Sequence, residues 1–185
     1  MSDALRRADL LALARRSIET ALGNEPAPAL PERPHADDPS QGVFVTLRLR
    51  GELRGCIGTL TTPAGLARTV VEFARNAAFH DPRFPPVARE EWPGIDIEIS
   101  IMTPPVRIEA DEVVPGRHGL ILELSGRRGL LLPQVATEWG FSREQFLDAL
   151  AQKAGLPPGA WKSPEARLFG FEAEVFSERG ADGGS

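Results

Sequence analysis

At 185 residues, 42% hydrophobic and 25% charged, the chain has the size and balance of a soluble globular protein with a real core. A net charge of −5 excludes nucleic-acid binding driven by bulk electrostatics, although Arg48, Arg50 and Arg54 form a local basic patch. Cys56 is the single cysteine, so an internal disulfide and a thiolate-rich metal centre are both excluded.

The first 22 residues are apolar in part but interrupted by Arg6, Arg7, Asp9, Arg15, Arg16 and Glu19, unlike a signal peptide or a membrane span. The expectation is a cytoplasmic protein. Leu11, Ala14, Ile18 and Leu22 share one helical face, and Gly23 stands where that helix ends. Asn24 to Gln41 holds five prolines and no periodicity, and reads as a loop. From Val43 to Leu49 apolar and polar residues nearly alternate, and Gly51 permits a tight turn into a second strand, Glu52 to Leu60. Thr62-Pro63 has the pattern of an N-cap with proline at the first helical position, followed by the apolar stripe Leu66, Val70, Phe73 and Ala77.

Pro82, Pro85 and Pro86 break that helix and force an irregular segment around His80-Asp81-Pro82-Arg83-Phe84. Ile95, Ile97, Ile99 and Ile101 then alternate with Asp96, Glu98, Ser100 and Met102, which predicts a strand ended by Pro104-Pro105. Leu120 to Leu124 and Gly129 to Leu132 flank Ser125-Gly126-Arg127-Arg128 as a second hairpin. Ser142 with Gln145 is a capping box opening a helix that carries Phe146, Leu147 and Leu150 to Gly155. Phe169, Phe171, Ala173 and Val175 alternate as one last strand. Helices interleaved with hairpins predict an α+β fold with mainly antiparallel sheet. No phosphate-binding glycine loop is present, because Gly51, Gly55 and Gly58 fit neither common spacing. No cofactor fingerprint appears.

Leu53-Arg54-Gly55-Cys56-Ile57-Gly58 concentrates the chemistry. A thiol in a Gly-rich strand near a cation is either a nucleophile, since positive charge favours the thiolate, or a small packed hydrophobe where backbones approach closely. In an ideal strand Arg54 and Cys56 project together. His80 and His118 are the proton carriers available to the thiol, or else they cap a helix end and bond a turn. With Asp81, Asp96, Glu98 or Glu123 they would make a two-His, one-carboxylate metal set, but no close His pair supports one, and no metal site is assigned. Glu98 shares a face with Asp96 and Ser100. That face is either solvated, or covered with Glu98 paired to Arg54 or Arg83.

These blocks together resemble the AMMECR domain family, the A component of the AmmeMemoRadiSam system. The resemblance runs from Leu53–Gly58 through Ala78–Val87, Ile97–Ser100 with Pro104-Pro105, Val114–Leu120, Gly129–Ala136, and Lys153–Pro158 with Trp161, in family order over about residues 5–178. It implies one compact α+β domain over residues 1–178 of two unequal lobes, a site in the groove between them, and a flexible tail at 179–185. It carries no demonstrated reaction. Under it, Cys56, His80, Glu98 and His118 are the catalytic candidates. Arg54, Gly55, Gly58, Asp81, Arg83, Ser100 and Gln134 are the ligand-binding candidates, for a small molecule or a modified residue. A Memo-type protein and a radical-SAM protein are the implied partners. One departure stands out: many relatives have a second cysteine where this chain has Ala151, which weakens a redox-pair reading. Two functions follow, an enzyme centred on Cys56 or a non-catalytic binding or adaptor module in which Cys56 is structural.

Overall fold

The computed structural model describes residues 3–30 and 42–180. Most of the Pro-rich loop, residues 31–41, and the end of the tail, residues 181–185, lie outside the described residues. The described chain is α+β, with four helices and two four-stranded sheets. It divides into two compact units, Met1–Met102 with Glu174–Ser185, and Thr103–Ala173. No helix is long and apolar enough to cross a membrane among the described residues.

In the first unit, α1 (Asp3–Leu22) is followed by the hairpin β1 (Gly42–Leu49) and β2 (Glu52–Thr59), then α2 (Leu66–Phe79) and β3 (Ile95–Met102). The final strand β8 (Ala173–Ser177) completes the sheet order β2-β1-β3-β8, which leaves β2 as an outer strand. The period-2 pattern works as expected. Val43, Val45, Leu47, Ile95, Ile97, Ile99 and Ile101 fill a core with Leu10, Ala14 and Ile18 of α1 and Leu66, Val70, Ala74 and Ala77 of α2. The two helices are tied by Ser17 Oγ donating to the Val71 carbonyl at 2.6 Å, and by Arg75 donating to Ser17 O at 3.1 Å and Thr20 Oγ1 at 3.0 Å.

Two local expectations change here. Thr62-Pro63 does not open α2. The chain makes a turn closed by Gly65 N–H on Thr62 O at 2.9 Å, and Gly65, at φ 88°, is the N-cap, a conformation outside the helical region. The second change is a β-bulge between β1 and β2. The turn Arg50-Gly51, with both φ positive, pairs Leu49 with Glu52 and Arg48 with Leu53, yet Leu47 then pairs with Gly55. Arg54 is the extra residue.

The second unit holds β4 (Val106–Arg107), β5 (Gly119–Leu124), β6 (Arg127–Leu131), α3 (Pro133–Glu138), α4 (Arg143–Lys153) and β7 (Arg167–Phe171), with sheet order β4-β7-β5-β6. Ser125 and Gly126 form the predicted hairpin turn, again with both φ positive. The Ser142–Gln145 capping box closes in both directions, at 3.3 and 2.9 Å. Phe146, Leu147, Leu150 and Ala151 of α4 pack with Leu120, Leu122 and Leu168 of the sheet. β4 and α3 had no sequence signal beyond Pro133, which stands at the start of α3. The single last strand expected over 169–175 is two. It breaks at Glu172, and β7 belongs to one sheet while β8 belongs to the other. Glu172 N–H donates to Thr103 Oγ1 at 2.9 Å and Thr103 N–H to Glu172 O at 2.8 Å, so the break coincides with a local pairing that ends the ladder.

Candidate functional site

The bulge decides what Cys56 faces. Continuing the register of the turn without it would pair Cys56 with Val45 on the core side. The extra residue shifts the strand by one, and a one-residue slip exchanges the two faces of a strand. Cys56 therefore pairs with Thr46, on the polar side of the sheet, and Thr46 in turn pairs with Glu98 on β3. One rung thus carries a thiol, a hydroxyl and a carboxylate. The next rung is Gly58, Phe44 and Ser100. A Cβ on Gly58 would sit 2.3 Å from the Phe44 ring, so only glycine lets that ring lie across β2. On the opposite face, a Cβ on Gly55 would come within 2.1 Å of the Ala77 carbonyl, which is why α2 can close onto β2 there.

Cys56 is half-buried. Its sulfur accepts from Thr46 Oγ1 at 3.2 Å. As an outer strand β2 has backbone groups with no strand partner, and the segment after α2 supplies one in side-chain form. Cys56 N–H donates to Asp81 Oδ2 at 2.9 Å, and Arg83 Nη2 donates to the Cys56 carbonyl at 3.1 Å. Arg83 also grips Asp81 twice, Nε to Oδ1 at 3.0 Å and Nη2 to Oδ2 at 2.8 Å, and adds its backbone N–H at 3.1 Å. Asp81 thus accepts four hydrogen bonds while almost fully buried. The Arg83 hydrogen bond holds its carboxyl well below the usual carboxylate range, helped by the N–H groups of Cys56 and Arg83. Arg83 is held above the ordinary guanidinium value, first by its hydrogen bond to Asp81 and then by the charge of that carboxylate, against the opposing effect of partial burial. Its side chain remains 55% exposed.

Arg54 has a different environment. Its guanidinium donates to both oxygens of Glu91 at 2.9 Å, to Pro85 O at 2.9 Å and to Pro86 O at 3.4 Å. Ala88 N–H also donates to Glu91, at 2.9 Å. The hydrogen bond between them raises Arg54 and lowers Glu91. Four bonds anchor the 85–91 segment and direct none of Arg54 at the sulfur. The cation bonded to Cys56, through its main-chain carbonyl, is Arg83.

Glu98 is paired with Arg48 at 3.6 Å, rather than with Arg54 or Arg83. Its face is covered at the centre, where Thr46 is 7% and Ser100 6% exposed. His80 is exposed at the C-cap of α2, and among the described residues only its backbone N–H is bonded, to Asn76 O at 2.9 Å. His118 and Gln134 belong to the second unit. There His118 Nδ1 accepts the Val114 N–H at 3.2 Å, closing its own turn, and Gln134 lies exposed on α3. Ala151 is fully buried in the core of that unit. Among the described residues, no group of three His, Cys, Asp or Glu side chains is arranged to hold a metal ion. Thr46, Phe44 and Glu91 carried no sequence signal, and Arg48 carried only that of the basic patch. Counting register back from Arg50-Gly51 would have found Thr46 only if the bulge were known.

Comparison with known proteins follows the whole chain rather than the site alone. The AMMECR1 family model matches residues 11–176. A protein of Methanothermobacter thermautotrophicus is 44% identical over 179 residues, covering 92% of this chain and 93% of its own length. A protein of Pyrococcus furiosus is 42% identical over 182 residues, covering 91% of this chain and 86% of its own. The crystal structure of an uncharacterised protein from Pyrococcus horikoshii superposes with a TM-score of 0.76 at 39% identity, covering 95% of this chain and 92% of that one.

Proposed function

The chain belongs to the AMMECR1 family, and on that premise we propose that it is an enzyme whose nucleophile is Cys56, acting on a small acyl-type electrophile. One observation carries this reading: the half-buried sulfur accepts the Thr46 hydroxyl, and Arg83, its side chain 55% exposed, is fixed on the carbonyl of the same residue, which places a hydroxyl and a cation at the one cysteine. Neither neighbour is a base. The thiol proton therefore passes to solvent before attack. The sulfur then bonds to the acyl carbon, the bond to the leaving group breaks, and water or an acceptor later releases the acyl group. Asp81, with four hydrogen bonds, positions Arg83 and the Cys56 backbone and takes no proton. Phe44, its ring over Gly58, lies on the same face two residues along each strand, and Glu98 with Arg48 closes the far end of the rung. Companion Memo-type and radical-SAM proteins are the proposed source or destination of the acyl group.

A binding or adaptor module is the second reading, favoured by one feature. Asp81 and Arg83 both bond the Cys56 main chain, which they would do for any residue on that outer strand. The readings separate on intact mass after exposure to a panel of small thioesters. The enzyme reading predicts one acyl adduct on the wild type, none on Cys56→Ser, and accumulation slower by about tenfold on Arg83→Ala. A wild type that stays unmodified, or a Cys56→Ser variant acylated equally, removes the nucleophile.

A further inference from the structure

A second place in the molecule has charge that its own chain does not balance. At the turn end of the β5–β6 hairpin, a cavity of about 450 Å³ is lined by Glu123, Arg127, Arg128, Glu165 and Arg167, with the turn itself. The register explains the clustering. Glu123 on β5 lies opposite Arg128 on β6 and also opposite Arg167 on β7. Its two carboxylate oxygens divide between them, Oε2 to Arg167 at 3.0 Å and Oε1 to Arg128 at 3.6 Å. One negative charge therefore sits between two positive ones. The Arg128 guanidinium makes no hydrogen bond among the described residues, and both arginine side chains are more than half exposed. Arg127, which also lines the cavity, donates to the Gly155 carbonyl, a neutral acceptor. Glu165 lines the cavity without an ion pair of its own among the described residues, so the hollow keeps three guanidiniums against two carboxylates.

The geometry points to a binding site for a small oxyanion, a carboxylate or phosphate group, held between Arg128 and Arg167 with Glu123 spacing the two forks. Guanidiniums present parallel N–H donors that match such groups in pairs, and Arg128, in an ion pair at 3.6 Å but in no hydrogen bond among the described residues, keeps donors available. Glu165 on the rim disfavours high negative charge and accepts from a donor on the same ligand. This site lies wholly within the second unit and is independent of the chemistry at Cys56.

The test is a backbone amide NMR titration at constant ionic strength, with inorganic phosphate, with a phosphoserine hexapeptide, and with chloride as the control. Saturable shifts at residues 123–128 and 165–167 at millimolar phosphate are expected. The midpoint should weaken at least tenfold in Arg128→Gln/Arg167→Gln and tighten in Glu165→Gln. A tighter peptide assigns the anion to a modified chain, and equal or tighter free phosphate assigns it to a small molecule. Shifts that fail to saturate, that chloride reproduces, or that survive in the double variant overturn the site.

Discussion

The Arg54–Glu91 and Arg83–Asp81 pairs both tie β2 to the segment after α2, yet they leave their guanidiniums in opposite conditions. Arg54 is 9% exposed, and its four bonds go to Glu91 and to two proline carbonyls. Arg83 is bonded as firmly to a carboxylate but stays 55% exposed while it holds the Cys56 carbonyl. The difference teaches how a local patch of arginine divides into scaffold and site. A guanidinium whose donors are all matched by fixed acceptors holds structure. One that is positioned by a buried carboxylate and open on its other side is available to charge that forms during a reaction.

Breaking the scaffold pair should have the largest effect. Arg54→Ala leaves Glu91 without its cation and two carbonyls without donors, for a loss of about 3 kcal/mol. That corresponds to a fall in Tm of about 6–12 °C for a chain of this length, read by calorimetry, with the alkylation of Cys56 in the still-folded protein little changed. Asp81→Asn comes next, at about 1–3 kcal/mol, because the amide cannot take four donors and one side of it now donates. It should also slow Cys56 alkylation, since Arg83 loses its anchor. A scaffold change that alters thiol reactivity as strongly as Asp81→Asn would erase the distinction between the pairs.

Acid titration sharpens the same comparison. Asp81 and Glu91 are both depressed in the folded state, so between their unfolded and folded values the unfolded chain binds more protons. Their contribution is fully present above the ordinary carboxylate range and is lost as pH falls below about 4. Unfolding by denaturant at stepped pH should show stability dropping through that window, with a shallower drop in Asp81→Asn. A wild-type profile flat below pH 4 contradicts the pairing. The smallest stability effect belongs to Thr46→Val, which removes one hydroxyl from the sulfur; about 1 kcal/mol or less is expected, with alkylation slowed a few-fold.

Period-2 alternation made the two inner strands of the first unit legible, because Ile95, Ile97, Ile99 and Ile101, like Val43, Val45 and Leu47 of β1, all enter the one core. Ser142 and Gln145 announced α4 through chemistry confined to four residues. The site was legible as a location but not as an arrangement. Arg54 and Cys56 are two apart, and an ideal strand would align them, but the bulge at Arg54 removes that alignment and gives Cys56 to Thr46. A bulge depends on what the neighbouring strands and segments demand, which no window of the chain contains. The break at Glu172 is hidden for the same reason, since alternation continues through 169–175 while the pairing partner changes. Asp81 and Arg83 were visible as polar residues among prolines, and their action on the Cys56 backbone required the fold.

The enzyme reading requires that folding make Cys56 a more reactive thiol through Arg83, and the alkylation rate at pH 7 tests that directly. Cys56 is the single thiol, so each mass shift reports one site. The rate should be higher in the native protein than in the urea-unfolded chain, and Arg83→Ala should bring it down to or below the unfolded rate. A native rate below the unfolded one, unchanged by Arg83→Ala, would contradict the account and leave Cys56 as packing.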